Sequence, residues 1–174
     1  MAIEPDNKNW TWVLERQCPD CAFDAASVVP RDIGMTIRDI SSHWEVILLH
    51  PGATKRPADN VWSPGEYGCH VRDVFRLFDF RLELMLTEDD PMFPNWDQDE
   101  TAVSDRYDLQ DPLVVRRELA IAGDLLAERF DAVTAGEWLR TGLRSDGARF
   151  TVDSFGRYLL HDPIHHLWDV SRTY

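Results

Sequence analysis

Apolar residues recur along this chain with the period of a helix and divide it into four long segments. Ile33, Ile37, Ile40, Trp44 and Ile47 are spaced by four, three, four and three residues. That spacing predicts one face of a helix that begins near Pro30 and ends near His50-Pro51-Gly52. Ser63-Pro64-Gly65-Glu66 has the form of a capping box, with Ser63 as N-cap, Pro64 at the first helical position and Glu66 reaching back. Tyr67, Val71, Val74, Phe78, Leu82 and Met85 supply the stripe of that second helix. Asp111-Pro112 opens a third, striped by Val115, Leu119, Ala122, Leu126 and Phe130. Thr151 caps a fourth, which runs through Phe155, Tyr158 and Leu159 to about Trp168.

The connections carry their own signals. Residues 87–110 form a long acidic stretch that includes Phe93-Pro94-Asn95-Trp96-Asp97-Gln98-Asp99; connections longer than about 15 residues are uncommon and often functional. Thr134-Ala135-Gly136-Glu137 reads as a capping box for a single turn that anchors Trp138, and Ser145-Asp146-Gly147 as a tight turn. Strand-like alternation is almost absent. The expected fold is therefore all-α: a four-helix bundle over residues 30–174, with an irregular segment, 1–29, packed on it and an acidic loop between the second and third helices.

Composition narrows the partners. The chain has 174 residues, enough for one domain with a real core. Its formal charge is −13, with no basic stripe to neutralise phosphates, so neither nucleic acid nor an anionic membrane surface is expected. No apolar run approaches the roughly 20 residues of a membrane-spanning helix. The polar N-terminus lacks the features of a signal peptide, so a cytoplasmic location is expected. Cys18, Cys21 and Cys69 are an odd set, which argues against a disulfide framework.

The chemistry concentrates near the C-terminus. His161-Asp162-Pro163-Ile164-His165-His166 holds half of the six histidines. Residues four apart stack on one helix face, so His161 and His165 can converge on one ion. His166 lies about 100° around the axis from His165 and reads as an outer or surface group. Pro163 removes a hydrogen bond to Leu159 and predicts a local kink. His70, one turn into the second helix beside its apolar stripe, is the candidate third ligand from a facing helix. Three histidines leave room for water or substrate, the arrangement of a catalytic ion. Asp162, Asp169 and Asp73 are candidates to orient ligating imidazoles, although a solvated acidic face is the better explanation of any one of them. His43 and His50 fit polar-face and helix-end roles. Cys18-Pro19-Asp20-Cys21 is half of a zinc knuckle, and no second cysteine pair exists to complete it. The two thiols are read first as free or structural, then as a minor metal site, and last as a redox pair. Cys69 points about 100° away from His70.

Two segments together resemble the DinB/YfiT-like superfamily: Trp62-Ser63-Pro64-Gly65-Glu66-Tyr67-Gly68-Cys69-His70-Val71-Arg72-Asp73-Val74 and Tyr158-Leu159-Leu160-His161-Asp162-Pro163-Ile164-His165-His166. The likeness spans residues 30–174. It implies a four-helix bundle with a divalent ion, zinc or nickel, on His70, His161 and His165, and it assigns no role to Cys18 or Cys21. It further implies a transferase or isomerase that activates a low-molecular-weight thiol, mycothiol among them. Arg72 and Arg144 are then candidate donors to the thiol's polar groups. A metal-dependent hydrolase, and a non-enzymatic protein-binding bundle with a structural metal, are the alternatives. The expected partners are a small-molecule substrate and a second copy of the chain as a homodimer.

Overall fold

The four apolar stripes become four long helices in the computed structural model, which describes residues 9–172. The helices are α1 (Ile33–Leu48), α2 (Pro64–Thr87), a short α3 (Gln98–Ser104), α4 (Pro112–Asp131) and α5 (Val152–Ser171). Residues 1–8, on which the signal-peptide reading rests, and residues 173–174 lie outside the described set. No helix among the described residues is long and apolar enough to cross a membrane.

α1 and α2 each pack against both α4 and α5, so they occupy one diagonal of the bundle while α4 and α5 occupy the other. Burial follows the predicted stripes. Ile33, Ile37, Trp44, Leu82, Leu119, Leu126 and Leu159 are all fully buried. α1 and α4 approach closely because Gly34 and Gly123 lack side chains. A Cβ on Gly123 would lie 2.2 Å from Ser41 Oγ, and one on Gly34 would lie 2.8 Å from the Ala127 carbonyl. At the start of α2 the capping box forms as read. Ser63 Oγ accepts from the Glu66 N–H at 3.2 Å, and the Glu66 carboxylate accepts from the Ser63 N–H at 2.8 Å. Arg56 pairs with the same carboxylate.

The stretch 87–110 departs from expectation. It is not one loop but a strand, β1 (Met92–Phe93), then α3 and a 3-10 turn at Tyr107–Leu109. β1 pairs in parallel with β2 (Thr141–Arg144), which forms an antiparallel hairpin with β3 (Arg149–Thr151). The predicted turn at Ser145-Asp146-Gly147 closes that hairpin, with Gly147 at φ +96. The three strands are only two to four residues long, too short for alternation to register in sequence. They still matter, because Phe93 and Phe150 enter the core against Phe155. The box expected at Thr134 is half formed: Glu137 accepts from the Thr134 N–H at 2.8 Å, and the turn itself spans Glu137–Leu139.

The N-terminal segment forms 3-10 turns at Trp10–Leu14 and Ala25–Ser27, both lying on α5. α5 is a continuous helix through Pro163, and the Trp44 indole N–H donates to the Pro163 carbonyl at 3.4 Å.

Candidate metal centre

Two pairs of ligating side chains sit on α5, each with i, i+4 spacing and offset from the other by one residue. His161 and His165 make one pair; Asp162 and His166 make the other. A helix turns about 100° per residue, so the pairs face different neighbours. The three histidines expected at one ion are accordingly divided. His161 and His165 lie with Cys18 and Cys21, with one donor atom from each residue within 4.8 Å of all the others. His70 groups in the same way with Asp162 and His166. His166 faces away from the His161–His165 pair, and α2 approaches α5 from the side that it faces, with the His70 and His166 rings 5.0 Å apart.

In the second group His70 Nε2 lies 3.1 Å from Asp162 Oδ1, and His166 Nε2 lies 3.9 Å from the same oxygen. Ligands about 2.1 Å from a shared ion stand about 3 to 3.5 Å apart, so this donor set is close to the size an ion requires. His166 Nδ1 is 2.9 Å from Asp169 Oδ2. That is the carboxylate–imidazole pairing that fixes the tautomer and orientation of a ligating histidine. His70 is fully buried and its Nδ1 has no hydrogen-bond partner among the described residues. Trp96 stacks on its ring with centroids 5.5 Å apart and planes within 7°, while Trp62 packs at 5.6 Å. Burial pushes the Asp162 carboxyl up, but the neighbouring imidazoles outweigh it and hold the group well below the usual carboxylate range. It is therefore an anion ready for a cation.

Burial and the adjacent His165 push His161 down to about 4, and burial also lowers His165. Burial thus favours the neutral form of both imidazoles, the form that binds metals. Burial raises the Cys69 thiol to about 12, which suits an inert core residue. Asp73 does not serve His70: it accepts from Arg72 at 2.9 Å and from the Tyr107 hydroxyl at 2.6 Å. His43 and His50 make local backbone contacts, with Asp39 O at 2.8 Å and the Gly52 N–H at 3.1 Å.

A cleft of about 490 Å³ opens beside these groups, lined in part by His161, Asp162, His165 and His166. Trp96, Asp99 and Glu100 bring the former loop onto its wall, and Arg81 and Arg144 line it too. Arg81 is buried, and no carboxylate among the described residues pairs with it. It donates to the Pro94 carbonyl at 2.6 Å, its Nε is unpartnered, and burial together with Arg144 pushes its pKa down to about 10. Arg144 pairs with Asp146 and reaches the Tyr158 hydroxyl at 3.1 Å.

The sequence profile of the DinB superfamily matches residues 48–170. The chain belongs to the DinB superfamily. Among solved structures, this DinB-superfamily protein is similar to YfiT from Bacillus subtilis, described as a probable metal-dependent hydrolase with an unusual four-helix bundle topology. The TM-score is 0.72 at 17% sequence identity, covering 84% of this chain and 89% of the other. That likeness establishes the fold. No curated protein matches the chain.

Proposed function

We propose that this protein is a metal-dependent hydrolase of a small anionic substrate, with one divalent ion held by His70, Asp162 and His166. The observation that carries this reading is the convergence of those three side chains, with Asp169 behind His166, at the edge of the cleft. Two imidazoles and a carboxylate form the ligand set of several catalytic ions and leave positions open. An ion held there supplies Lewis acidity that activates water at neutral pH. The protein's own groups do the rest. Asp169 holds His166 in register, and Trp62 and Trp96 keep bulk water from the His70 ring. Arg81 offers an uncompensated positive charge to an anionic group of the substrate, in a site whose volume suits a small molecule. The YfiT description supports the same class of reaction.

Thiol-dependent transfer is the second reading. Arg144 lines the cleft as that reading requires. Arg72 does not contribute, because Asp73, Glu118 and Gln110 engage its guanidinium.

The test is to strip the protein, reload it with zinc, nickel or manganese, and assay activated esters and amides that carry a carboxylate or phosphate. Metal-restored hydrolysis that is lost in Asp162→Ala and His166→Ala is expected. Hydrolysis indistinguishable from the stripped protein, with metal-dependent conjugation of a model electrophile to a biological thiol, would replace this reading with the second.

A further inference from the structure

The Cys-x-x-Cys motif lacks a second cysteine pair in sequence, but the fold supplies the missing ligands. We propose that Cys18, Cys21, His161 and His165 bind a second ion, a structural zinc that fastens the N-terminal segment to α5.

Four observations carry this. The four donors are mutually within 4.8 Å, and their spacing, C-x2-C with H-x3-H, is that of Cys2His2 zinc sites. Cys18 Sγ lies 3.6 Å from His165 Nδ1. A tetrahedral zinc with bonds of about 2.3 Å to sulfur and about 2.0 Å to nitrogen places two such ligands about 3.5 Å apart. His161 is 4% exposed, and its Nε2 is buried with no hydrogen-bond partner among the described residues. A buried polar atom of this kind calls for an explanation, and a coordinate bond provides one. Finally, the backbone of the motif is folded into a knuckle. The Cys18 N–H donates to the Phe23 carbonyl at 2.8 Å and the Ala22 N–H to the Cys18 carbonyl at 3.0 Å. Ala22 takes φ 60, a left-handed conformation that is costly for a residue with a Cβ.

The surroundings indicate a structural rather than a catalytic ion. All four positions of a tetrahedron are filled by protein, so none is open to substrate. Trp10, Trp12 and Phe23 pack around His161 at 5.2, 6.3 and 5.6 Å, and Trp168 lies 5.4 Å from His165. Binding ionises both thiols and releases two protons to solvent. Two thiolates and one Zn²⁺ then sum to zero charge, which suits a half-buried setting. Trp10 also lines the cleft, so fastening this segment fixes part of the cleft wall.

Cobalt substitution of the full-length protein under reducing conditions tests the proposal without any mutation. A sulfur-to-cobalt charge-transfer band is expected, and it persists in Asp162→Ala, which removes a ligand of the other site only. Zinc analysis of Cys21→Ser is expected to show one equivalent fewer per chain than wild type, with Asp162→Ala losing the other equivalent. Chelation is expected to make residues 9–27 the first point of limited proteolysis. A cobalt spectrum with no sulfur band, an unchanged zinc content in Cys21→Ser, or a Cys18–Cys21 disulfide in protein kept reduced would overturn it.

Discussion

Asp162 of α5 reaches His70 of α2 with Oδ1 at 3.1 Å from Nε2, across an interface where His70 is wholly buried. Removing the carboxylate takes the hydrogen-bond partner from Nε2 of a ring whose Nδ1 has no partner among the described residues. Leaving a buried polar group unsatisfied costs about 1–3 kcal/mol. In a chain of this size each kcal/mol lowers Tm by about 2–4 °C. Asp162→Ala is therefore expected to lose metal and to melt earlier even when metal-free. An unchanged metal-free melting curve would deny the contact its structural share.

In the proposed site Asp169 would stand behind the ligand His166. Its contact with His166 Nδ1 is 2.9 Å, and loss of such a partner typically lowers metal affinity about 10–100-fold. Asp169→Ala should show that loss by competitive chelator titration while the helical circular dichroism signal stays at its wild-type level.

Acid stability should report on Asp73. Burial pushes this carboxyl up, but hydrogen bonds from Arg72 and Tyr107 outweigh it and hold the folded value below the ordinary 3.8. The folded state then binds fewer protons than the unfolded state, and stability falls as pH falls. The contribution is complete above pH 3.8 and is lost as pH drops from there through the depressed folded value. Urea midpoints measured across this range should decline steeply in wild type and less steeply in Asp73→Asn.

The α1–α4 approach makes a volume prediction. A methyl at Gly123 meets Ser41 Oγ at 2.2 Å and Phe75 at 3.3 Å, and overpacking of this kind costs about 1–3 kcal/mol. Gly123→Ala should lower the denaturation midpoint. Ser41→Ala introduced with it should recover part of the loss, because the oxygen is the nearest obstacle. Full additivity of the two changes would count against that clash.

The helices are legible because three of their stripes are long, five or six apolar positions each, with Ser63-Pro64 and Asp111-Pro112 marking two starts. The sheet was not, since two residues such as Met92–Phe93 carry no period, and a parallel partner about fifty positions away leaves no local trace. The ligating residue types were visible too, and the faces of α5 were assigned correctly by angle. What sequence could not supply was which neighbour each face meets. His161 and His165 turn toward Cys18 and Cys21, and His70 meets the intervening pair, Asp162 and His166.

The one-residue offset between the two pairs on α5 has a mechanical side. Both pairs ride on the same stretch of one helix, residues 161–166, so any roll of α5 about its axis displaces both together. Whatever grips His161 and His165 thereby sets the angle at which Asp162 and His166 are presented to His70. Occupancy on one face should tighten the other, and by the same factor in reverse. The N-terminal segment, whose described residues form 3-10 turns and no α-helix, would then act as the torsional stop that keeps the cleft-side donors aimed.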